Sequence, residues 1–481
     1  MPPHSKFLSI YEVSKGGNRG SEYWMKGTGL GGSSSINGMV YVRGHPADYN
    51  SWADEGCEGW AWNEVKAAFM EIEDHQLGPG GDRGIGGPLK VTVQPPCSDL
   101  AEAFMDAAVA AGTPKVADIN AAYDGGIGYQ PCTIFEGRRQ SAVRAFLAPA
   151  RNRQNLTVFT ETRVQRILFE GRRAVGVQLV RAGESSELRA RKEIILAAGA
   201  IESPKLLQLS GIGRASHLRS LGIAVTAEVN EVGENLQEHY NLQIRYRVAS
   251  GSLNQQFAGL KLLLNVARYA LLGSGPMTHA AHELGAFVRT RPHLDRPDAQ
   301  LGIGLYTLTR TQAGLGVEDE PGMTIGGYIT QPQSRGVLRI TSADPGASPF
   351  IDANYLSAAT DREGTIALVR YIRKITAQVP LRDFIVSELD PGPKVNTDDE
   401  ILDACLAGGA SAFHLASTCR MGSDSESVVD PQLRVRGVEN LRIADTSIMP
   451  RVVSGNTNAA AMMIGWRASD FILGASDNQL T

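Results

Sequence analysis

One glycine-rich segment constrains the fold of this chain more than any other stretch. It comprises residues 27–38, Gly-Thr-Gly-Leu-Gly-Gly-Ser-Ser-Ser-Ile-Asn-Gly. Gly27, Gly29 and Gly32 satisfy the GxGxxG spacing, in which glycines let a backbone turn tightly against a pyrophosphate. That fingerprint normally follows a buried apolar strand, whereas residues 21–26 carry two charges and little β-branched character. Because the chain contains 53 glycines, a chance match is common, and the spacing alone does not indicate an NAD site.

A dinucleotide fingerprint also requires an acid about 20 residues further on, at the end of a second strand. Asp48 and Asp54 lie near that distance, but both fall in residues 45–62. That run is polar and rich in Gly and Trp, so we predict a loop there. The segment at residues 27–38 therefore needs another explanation.

Composition bounds the class of protein. The 481 residues suffice for two or more domains, and 42% apolar with 20% charged residues is ordinary for a globular chain. A net charge of −4 offers no basic field, so nucleic acid is not an expected partner. The five cysteines form no CxxC pair, which favours a reducing, cytoplasmic compartment.

Neither a signal-peptide core nor an apolar run long enough to span a membrane is evident in the sequence. The most apolar long segment, residues 260–272, contains Lys261, Asn265 and Arg268. It therefore predicts an amphipathic helix rather than a membrane span.

The N-terminal half predicts mixed helices and strands. Helices are expected over residues 63–73 and 100–111, and strands over 156–160, 164–169 and 175–180. Residues 192–200 predict a buried strand that ends in small residues, where an open α/β sheet would bind its ligand. Ser203 then predicts a helix N-cap, with Pro204 as the first helical residue.

The C-terminal half mixes element types without strict alternation, as a second domain would. Strands are expected over residues 244–248, 323–329 and 337–340, and a helix over 362–379. A small-residue helix is expected over residues 459–472.

Four motif regions then carry a resemblance. In chain order they are residues 27–44, residues 199–213 (Gly-Ala-Ile-Glu-Ser-Pro-Lys-Leu-Leu-Gln-Leu-Ser-Gly-Ile-Gly), residues 232–239 (Val-Gly-Glu-Asn-Leu-Gln-Glu-His), and residues 414–422 with 456–465. The chain resembles the glucose–methanol–choline (GMC) family of flavin-dependent alcohol oxidoreductases. The resemblance extends over nearly the whole chain.

The resemblance implies an α/β fold: a Rossmann-like FAD-binding domain, truncated at its N-terminus, with an inserted α+β substrate-binding domain. The FAD domain is expected in residues 1–85, 130–240 and 412–481. The substrate domain is expected in residues 86–129 and 241–411.

The implied reaction is the oxidation of a primary or secondary alcohol to an aldehyde or ketone by hydride transfer to flavin N5. The hydroxyl proton must leave as the hydride departs, so a base and an alkoxide stabiliser are needed. The family positions for these roles are His414 and Asn456 here. Without the resemblance, His414 reads as a buried structural histidine and Asn456 as a helix N-cap.

The resemblance also assigns cofactor contacts, listed here in chain order: Gly31, Gly32, Ser33, Asn37, Val164, Asp445 and Asn456. Position 36 is Ile, whereas family members with covalently attached flavin have His there. We therefore expect FAD to be bound non-covalently.

Substrate contacts are less specified. Glu283 lies in a segment similar to one that lines family substrate pockets, and Phe413 precedes the catalytic histidine position. His279 and His282 are spaced as a metal pair could be, but no carboxylate or cysteine cluster accompanies them, so no metal site is predicted.

The sequence departs from the family pattern in three places. Thr28 replaces a usual Arg or Lys, and residues 415–417 replace the usual Pro-x-Gly after the histidine. The family's opening strand, GxGxxG and helix are not found in the 26 residues before Gly27. A start codon placed too far downstream, a split gene with a separate N-terminal fragment, and a degenerate homologue remain open explanations.

The expected partners are a small-molecule alcohol and an electron acceptor, either oxygen or a quinone-type carrier. Choline is an alternative substrate, although an aromatic cage for its ammonium group is not evident, since no Trp lies between Trp62 and Trp466. A flavin-free remnant without activity is the alternative from a different class.

Overall fold

The computed structural model describes residues 6–311 and 314–477. Within these residues the α-helices are α1 (Pro46–Asp54), α2 (Trp62–Ile72), α3 (Asp99–Ala110), α4 (Ala148–Ala150), α5 (Gly199–Leu209), α6 (Ala215–Ser220), α7 (Gly259–Leu272), α8 (Ala359–Thr376), α9 (Asp398–Gly408) and α10 (Asn458–Asp477).

The strands in the same residues are β1 (Leu8–Ser14), β2 (Ser21–Gly27), β3 (Glu73–His75), β4 (Leu89–Val93), β5 (Gly126–Tyr129), β6 (Pro131–Cys132), β7 (Ile134–Phe135), β8 (Arg138–Arg139), β9 (Thr162–Glu170), β10 (Arg173–Arg181), β11 (Glu184–Arg189), β12 (Ile194–Leu196), β13 (Ile212–Gly213), β14 (Ala227–Glu228), β15 (Tyr240–Val248), β16 (Leu284–Val288), β17 (Ala299–Gly304), β18 (Leu308–Thr311), β19 (Gly314–Val317), β20 (Gly322–Ile329), β21 (Val337–Arg339), β22 (Phe350–Asp352), β23 (Ile385–Asp390), β24 (Ala410–Ser411) and β25 (Leu441–Ile443).

The largest sheet has the order β23-β15-β20-β17-β16-β5, and its neighbouring strands run antiparallel. Successive side chains of a strand point to opposite faces, so each strand has a core face and a second face. Leu301, Ile303 and Ile325 lie on the core face together with Leu368 of α8. The opposite face carries polar and small residues and forms one wall of the site described below.

A second unit contains the parallel pair β12–β25, in which Ile194 lies opposite Leu441. The chain continues from β12 into α5, which gives a strand–turn–helix unit that opens at Gly199. Within the described residues β12 pairs with no strand on its other edge, and the side chain of Ile195 is 37% exposed. The separate meander β9–β10–β11 is antiparallel.

The structure corrects three sequence predictions about local structure. Residues 46–54 are not a loop but helix α1, because His45 and Asp48 form a capping box and Pro46 occupies the first helical position. Residues 156–160 form no strand and are exposed. Helix α5 begins at Gly199 rather than after Ser203, so Pro204 lies inside it.

Pro204 is accommodated in α5 because its missing N–H is replaced from outside the helix. The carbonyl of Ala200, four residues before Pro204, instead accepts a hydrogen bond of 2.8 Å from Thr418 Oγ1. The Ser203 hydroxyl does not cap the helix but donates to Asp445 Oδ2 at 2.6 Å. Sequence reasoning mistook Ser-Pro for a helix start because these two distant partners are invisible in the local pattern.

The buried strand expected over residues 192–200 is limited to β12, with Ile195 exposed, and residues 199–200 already belong to α5. The remaining predicted elements are confirmed with small shifts. The helices expected over residues 63–73, 100–111, 260–272 and 362–379 are α2, α3, α7 and α8. None of the helices in the described ranges combines the length and the hydropathy needed to cross a membrane.

Candidate active site

His414 lies at a backbone turn that the rest of the fold holds in place. Phe413, the residue before it, has φ +63°, a conformation that a bulky side chain rarely adopts. The carboxylate of Glu238 accepts hydrogen bonds from the backbone N–H groups of His239 and His414, each at 2.8 Å. Its other oxygen accepts from Ser411 Oγ at 2.9 Å. One buried carboxylate therefore fixes both histidines.

The hydrogen-bond chain from Thr330 determines which ring nitrogen of His414 carries a proton. A backbone carbonyl can only accept, so His239 Nε2, at 3.0 Å from the Thr330 oxygen, is protonated. The neutral ring of His239 then presents an unprotonated Nδ1, at 3.0 Å from His414 Nδ1. His414 must donate there, which leaves its Nε2 unprotonated and able to act as a base.

Asn456 lies on the Nε2 side of His414. Its Nδ2 is 2.9 Å from His414 Nε2, and its Oδ1 accepts from Gln300 Nε2 at 3.0 Å. Tyr328 Oη in turn donates to Gln300 Oε1 at 2.5 Å. The order of donors fixes the orientation of both amides, and the second N–H of Asn456 Nδ2 remains for another acceptor.

Burial keeps this cluster free of charge. It lowers the pKa of His239 to about 4. Burial, followed by the neighbouring His239 and Lys26, holds the pKa of His414 well below its usual value. Both rings are therefore neutral near neutral pH. The ring of Tyr328 stacks on His239 with centroids 4.4 Å apart and an interplanar angle of 17°.

Lys26 and Glu238 interact electrostatically behind the histidines, and each affects the pKa of the other. Lys26 Nζ donates to the Phe413 carbonyl at 3.3 Å. Burial raises the pKa of Glu238, and the charge of Lys26 opposes that rise. Burial also lowers the pKa of Lys26, against the attraction of Glu238. Lys26 comes directly before Gly27, so the glycine-rich segment starts at the site.

The wall of the site is the second face of the large sheet, where Gln300 and Tyr328 alternate with glycines. A Cβ on Gly302 would lie 3.0 Å from the ring of His282, and one on Gly326 would lie 3.8 Å from His282 Nε2. These glycines therefore make room for the imidazole. Burial lowers the pKa of His282 to about 4, so the ring is neutral.

Glu283 is buried beside this wall, where its Oε2 accepts from the Leu305 N–H at 3.0 Å. Burial raises its pKa to about 7. A buried carboxyl group with this pKa is partly protonated near neutral pH. In the described residues, no cluster of His, Cys, Asp and Glu could hold a metal ion.

The glycine-rich segment forms a loop after β2 with a short 3₁₀ turn at Gly32–Ser35. Gly32 has φ +50°, and a Cβ built on it would meet nothing within 4 Å, so open space borders the backbone. Ser33 Oγ accepts from the Gly27 N–H at 3.2 Å, while Asn37 Oδ1 accepts from Arg139 at 2.6 Å. A groove of about 320 Å³ opens beside Gly31.

Asp445 follows β25 and joins it to the N-terminus of α5. Its Oδ2 accepts from the Gly199 N–H at 2.9 Å, and its Oδ1 accepts from the Ser447 N–H at 2.9 Å. A carboxylate at this position also complements the positive end of the helix dipole. Gly199 has φ +84° and open space where a side chain would be. Val164 lies on β9, where its side chain is 38% exposed.

The structure brings His414 and Asn456 together, as the resemblance implied, and Phe413 lies next to them with 41% of its side chain exposed. Asn456 does not cap α10, which starts two residues later. The cofactor contacts assigned to the Gly31 loop, Val164 and Asp445 stay predictions.

Sequence reasoning missed His239, Gln300, Tyr328 and Glu238 as members of the site. His239 and Glu238 end the motif at residues 232–239, and a histidine in a matched motif was the available signal. Gln300 and Tyr328 gave no signal, because only the strand register brings them opposite each other.

Comparisons with known proteins agree with this geometry. Residues 13–241 and 332–465 match the two family profiles described as GMC oxidoreductase. The chain is 41% identical to mitochondrial choline dehydrogenase of Homo sapiens over 473 residues, 96% of this chain and 78% of the relative. It is 36% identical to alcohol dehydrogenase [acceptor] of Pseudomonas putida, covering 95% of this chain and 83% of the relative.

The fold is similar to that of pyridoxine 4-oxidase from Mesorbium loti, with a TM-score of 0.87 and 30% identity over 98% of this chain and 89% of the other. Fold, site and relatives together define a flavin-dependent alcohol oxidoreductase. More narrowly, the chain belongs to the GMC oxidoreductase family.

FAD is accordingly the cofactor, and the residues present fit it. The backbone at Gly32 and Gly199 borders open space, so a flat or phosphorylated group can approach without meeting a side chain. Ile36 offers no nucleophile for covalent attachment.

Proposed function

We propose that this flavoenzyme oxidises a primary or secondary alcohol to an aldehyde or a ketone, with His414 as the general base. The observation that carries the proposal is the unprotonated Nε2 of His414, held 2.9 Å from the amide nitrogen of Asn456. A hydroxyl group that enters between these two side chains replaces this hydrogen bond: His414 Nε2 accepts its proton, and Asn456 Nδ2 donates to its oxygen.

The chain's own residues divide the work in a simple way. His414 takes the hydroxyl proton at Nε2, and its Nδ1–H stays bonded to His239. The free N–H of Asn456 donates to the developing alkoxide, while Gln300 holds the amide in place. The flavin supplies the acceptor for the hydride that leaves the alcohol carbon.

The test replaces His414 with Gln, which keeps a polar side chain but removes the base. Loss of a general base lowers the rate by about 10²- to 10⁴-fold, so flavin reduction by substrate in a stopped-flow mixer is expected to fall by that factor. Flavin content is expected to stay unchanged. His293→Gln, at an exposed histidine, is the matched control. Unchanged flavin reduction in His414→Gln would overturn the assignment.

Choline is the second candidate substrate. The human relative is a choline dehydrogenase, and the buried Glu283 offers a carboxylate that a bound cation would stabilise in its charged form. The discriminating comparison is choline against its uncharged tert-butyl isostere. If choline is the substrate, Glu283→Gln lowers kcat/KM for choline and leaves the isostere unaffected. Equal loss for both compounds excludes a role in cation binding.

The electron acceptor is identified by a direct comparison of oxygen with a quinone-type carrier. With the same alcohol, oxygen consumption is measured in one assay and reduction of a quinone analogue in the other. Purified chain that retains no flavin, and shows no alcohol-dependent dye reduction after FAD is added, would instead support the flavin-free alternative.

A further inference from the structure

Helix α7 is an exposed helix with its apolar side chains facing outward. Five of its leucines are 60–81% exposed, namely Leu260, Leu263, Leu264, Leu271 and Leu272. The buried residue of the helix is polar: Asn265 donates from Nδ2 to the Gln256 carbonyl at 2.8 Å. A helix of a water-facing surface normally has the opposite arrangement, with leucines inward.

The charge of this region is one-sided. No Asp or Glu occurs between Glu238 and Glu283, although the chain contains 51 acidic residues. Lys261 and Arg268 are exposed, and they share the 261/265/268 side of the helix with Asn265. The helix thus combines a broad leucine face with two cationic side chains and no anion. An amphipathic helix with Lys or Arg beside an apolar face binds at the boundary of an anionic bilayer.

The length of α7 decides between lying on a bilayer and crossing it. Its 14 residues span about 21 Å, less than the hydrocarbon thickness of about 30 Å. We propose that α7 docks the protein on an anionic lipid surface, with its leucines in the headgroup boundary and Lys261 and Arg268 on lipid phosphates. This proposal does not depend on the reaction assigned above.

Helix α7 is connected to the wall of the candidate active site by a short segment of chain. The chain leaves α7 at Leu272 and reaches His282, on the wall of the site, ten residues later. Between them, the Ala281 N–H contacts the Gly38 carbonyl at 3.5 Å, so this connection lies against the glycine-rich loop. A lipid surface under α7 would therefore be linked through one short segment to the substrate wall.

The test is co-sedimentation of the purified chain with two kinds of vesicle, phosphatidylcholine alone and phosphatidylcholine with phosphatidylglycerol. Binding is expected with the anionic vesicles and is expected to weaken with added salt. Combined Leu263→Ser, Leu264→Ser and Leu271→Ser substitutions are expected to weaken binding by about tenfold or more. The control carries Leu188→Ser, Val386→Ser and Leu473→Ser, at apolar positions outside α7 that are 48–66% exposed.

A second variant keeps the proposal falsifiable if the serine variant is poorly folded. Lys261→Glu with Arg268→Glu retains the leucines, and it is expected to lose the preference for anionic over neutral vesicles. Circular dichroism and flavin-independent melting report folding for every variant. Wild-type protein that stays in solution with both vesicles, or equal binding by wild type and serine variant, would overturn the proposal.

A second copy of the chain is the competing occupant of the leucine face. Light scattering after gel filtration, without lipid, would then give twice 51.5 kDa for wild type and 51.5 kDa for the serine variant. That result would overturn lipid docking. A monomer that binds anionic vesicles through α7 supports it.

Discussion

At the scale of single residues, the reactivity of His414 depends on a neighbour that never needs to touch the substrate. The lone pair of His414 Nε2 exists because Nδ1 is protonated, and Nδ1 is protonated because His239 presents an acceptor to it. His239 presents that acceptor because its own proton points to the Thr330 carbonyl. His239 is therefore a positioning residue for the proposed base.

Two substitutions of His239 distinguish the contribution of its hydrogen bond from that of its aromatic ring. His239→Phe keeps an aromatic ring against Tyr328 but removes the acceptor, so we expect flavin reduction to slow by about 10²-fold or more. His239→Asn retains an acceptor near Nδ1 and is expected to stay within about tenfold of wild type. Substrate affinity is expected to change little in either variant.

The tautomer of His414 provides a direct test, because a purely structural role of His239 would leave that tautomer unchanged. In protein with ¹⁵N-labelled histidine, nitrogen shifts are expected to show His414 protonated at Nδ1, with the signal assigned by its loss in His414→Gln. His239→Phe is expected to shift His414 towards the other tautomer. An unchanged tautomer together with a slow His239→Phe variant would contradict the positioning role.

The same residue predicts a pH dependence of stability. The pKa of His239 is about 4 in the fold, against about 6.5 for an exposed histidine. Above pH 6.5 both states are unprotonated and nothing is lost. As pH falls from about 6.5 towards 4, the unfolded chain binds the proton first, so stability falls by about 1.4 kcal/mol per pH unit.

At about pH 5 this single group is expected to lower the free energy of unfolding by about 2 kcal/mol, relative to about pH 7. Urea denaturation at both pH values measures the loss. His239→Asn removes the titrating group and is expected to reduce the pH-dependent loss by the same amount. Equal pH dependence in wild type and variant would show that His239 does not titrate below its usual pKa.

At the scale of elements, α5 depends on a side chain from a distant segment. Thr418, fully buried, donates to the Ala200 carbonyl that Pro204 leaves without a partner. Thr418→Val conserves shape and removes the donor, so an unsatisfied buried carbonyl is expected to cost about 1–3 kcal/mol in urea denaturation. Thr418→Ser keeps the hydroxyl and is expected to lose less. Similar losses in the two variants would indicate packing rather than the hydrogen bond.

Elements with a clear local pattern were predictable from the sequence, and those set by distant contacts were not. The periodicity over residues 362–379 suffices for α8, because one face packs on the large sheet. Helix α1 escaped prediction because its N-cap is a histidine, outside the usual cap residues. The strand order β23-β15-β20-β17-β16-β5 does not follow chain order, so the sequence contained no signal for it.

The candidate site shows the same division. The motif at residues 414–422 identified His414, and the motif at 456–465 identified Asn456, each from local residue types. Gln300 and Tyr328 reached the site only through strand register, and His239 through a bond across 175 positions of sequence. A motif can point to the residues proposed to react, while the residues that set their protonation come from the tertiary fold.

At the scale of the whole molecule, the surface around β12 is the place where a further segment would pack. Ile195 is 37% exposed on a strand with one free edge among the described residues. An unpaired strand edge with an exposed apolar side chain is a template for another strand. A strand–GxGxxG–helix segment paired with β12 would bring a helix N-terminus, which favours a pyrophosphate.

We therefore expect a peptide whose strand pairs with β12 and whose GxGxxG turn opens a helix to raise the affinity of the chain for non-covalently bound FAD by at least about tenfold. Fluorescence titration with FAD measures both affinities. Ile195→Lys places a charge on the docking surface and is expected to remove the gain without affecting the free chain. Acid precipitation is expected to leave the flavin in solution, because Ile36 offers no attachment atom. An FAD affinity that the peptide leaves unchanged would contradict this prediction.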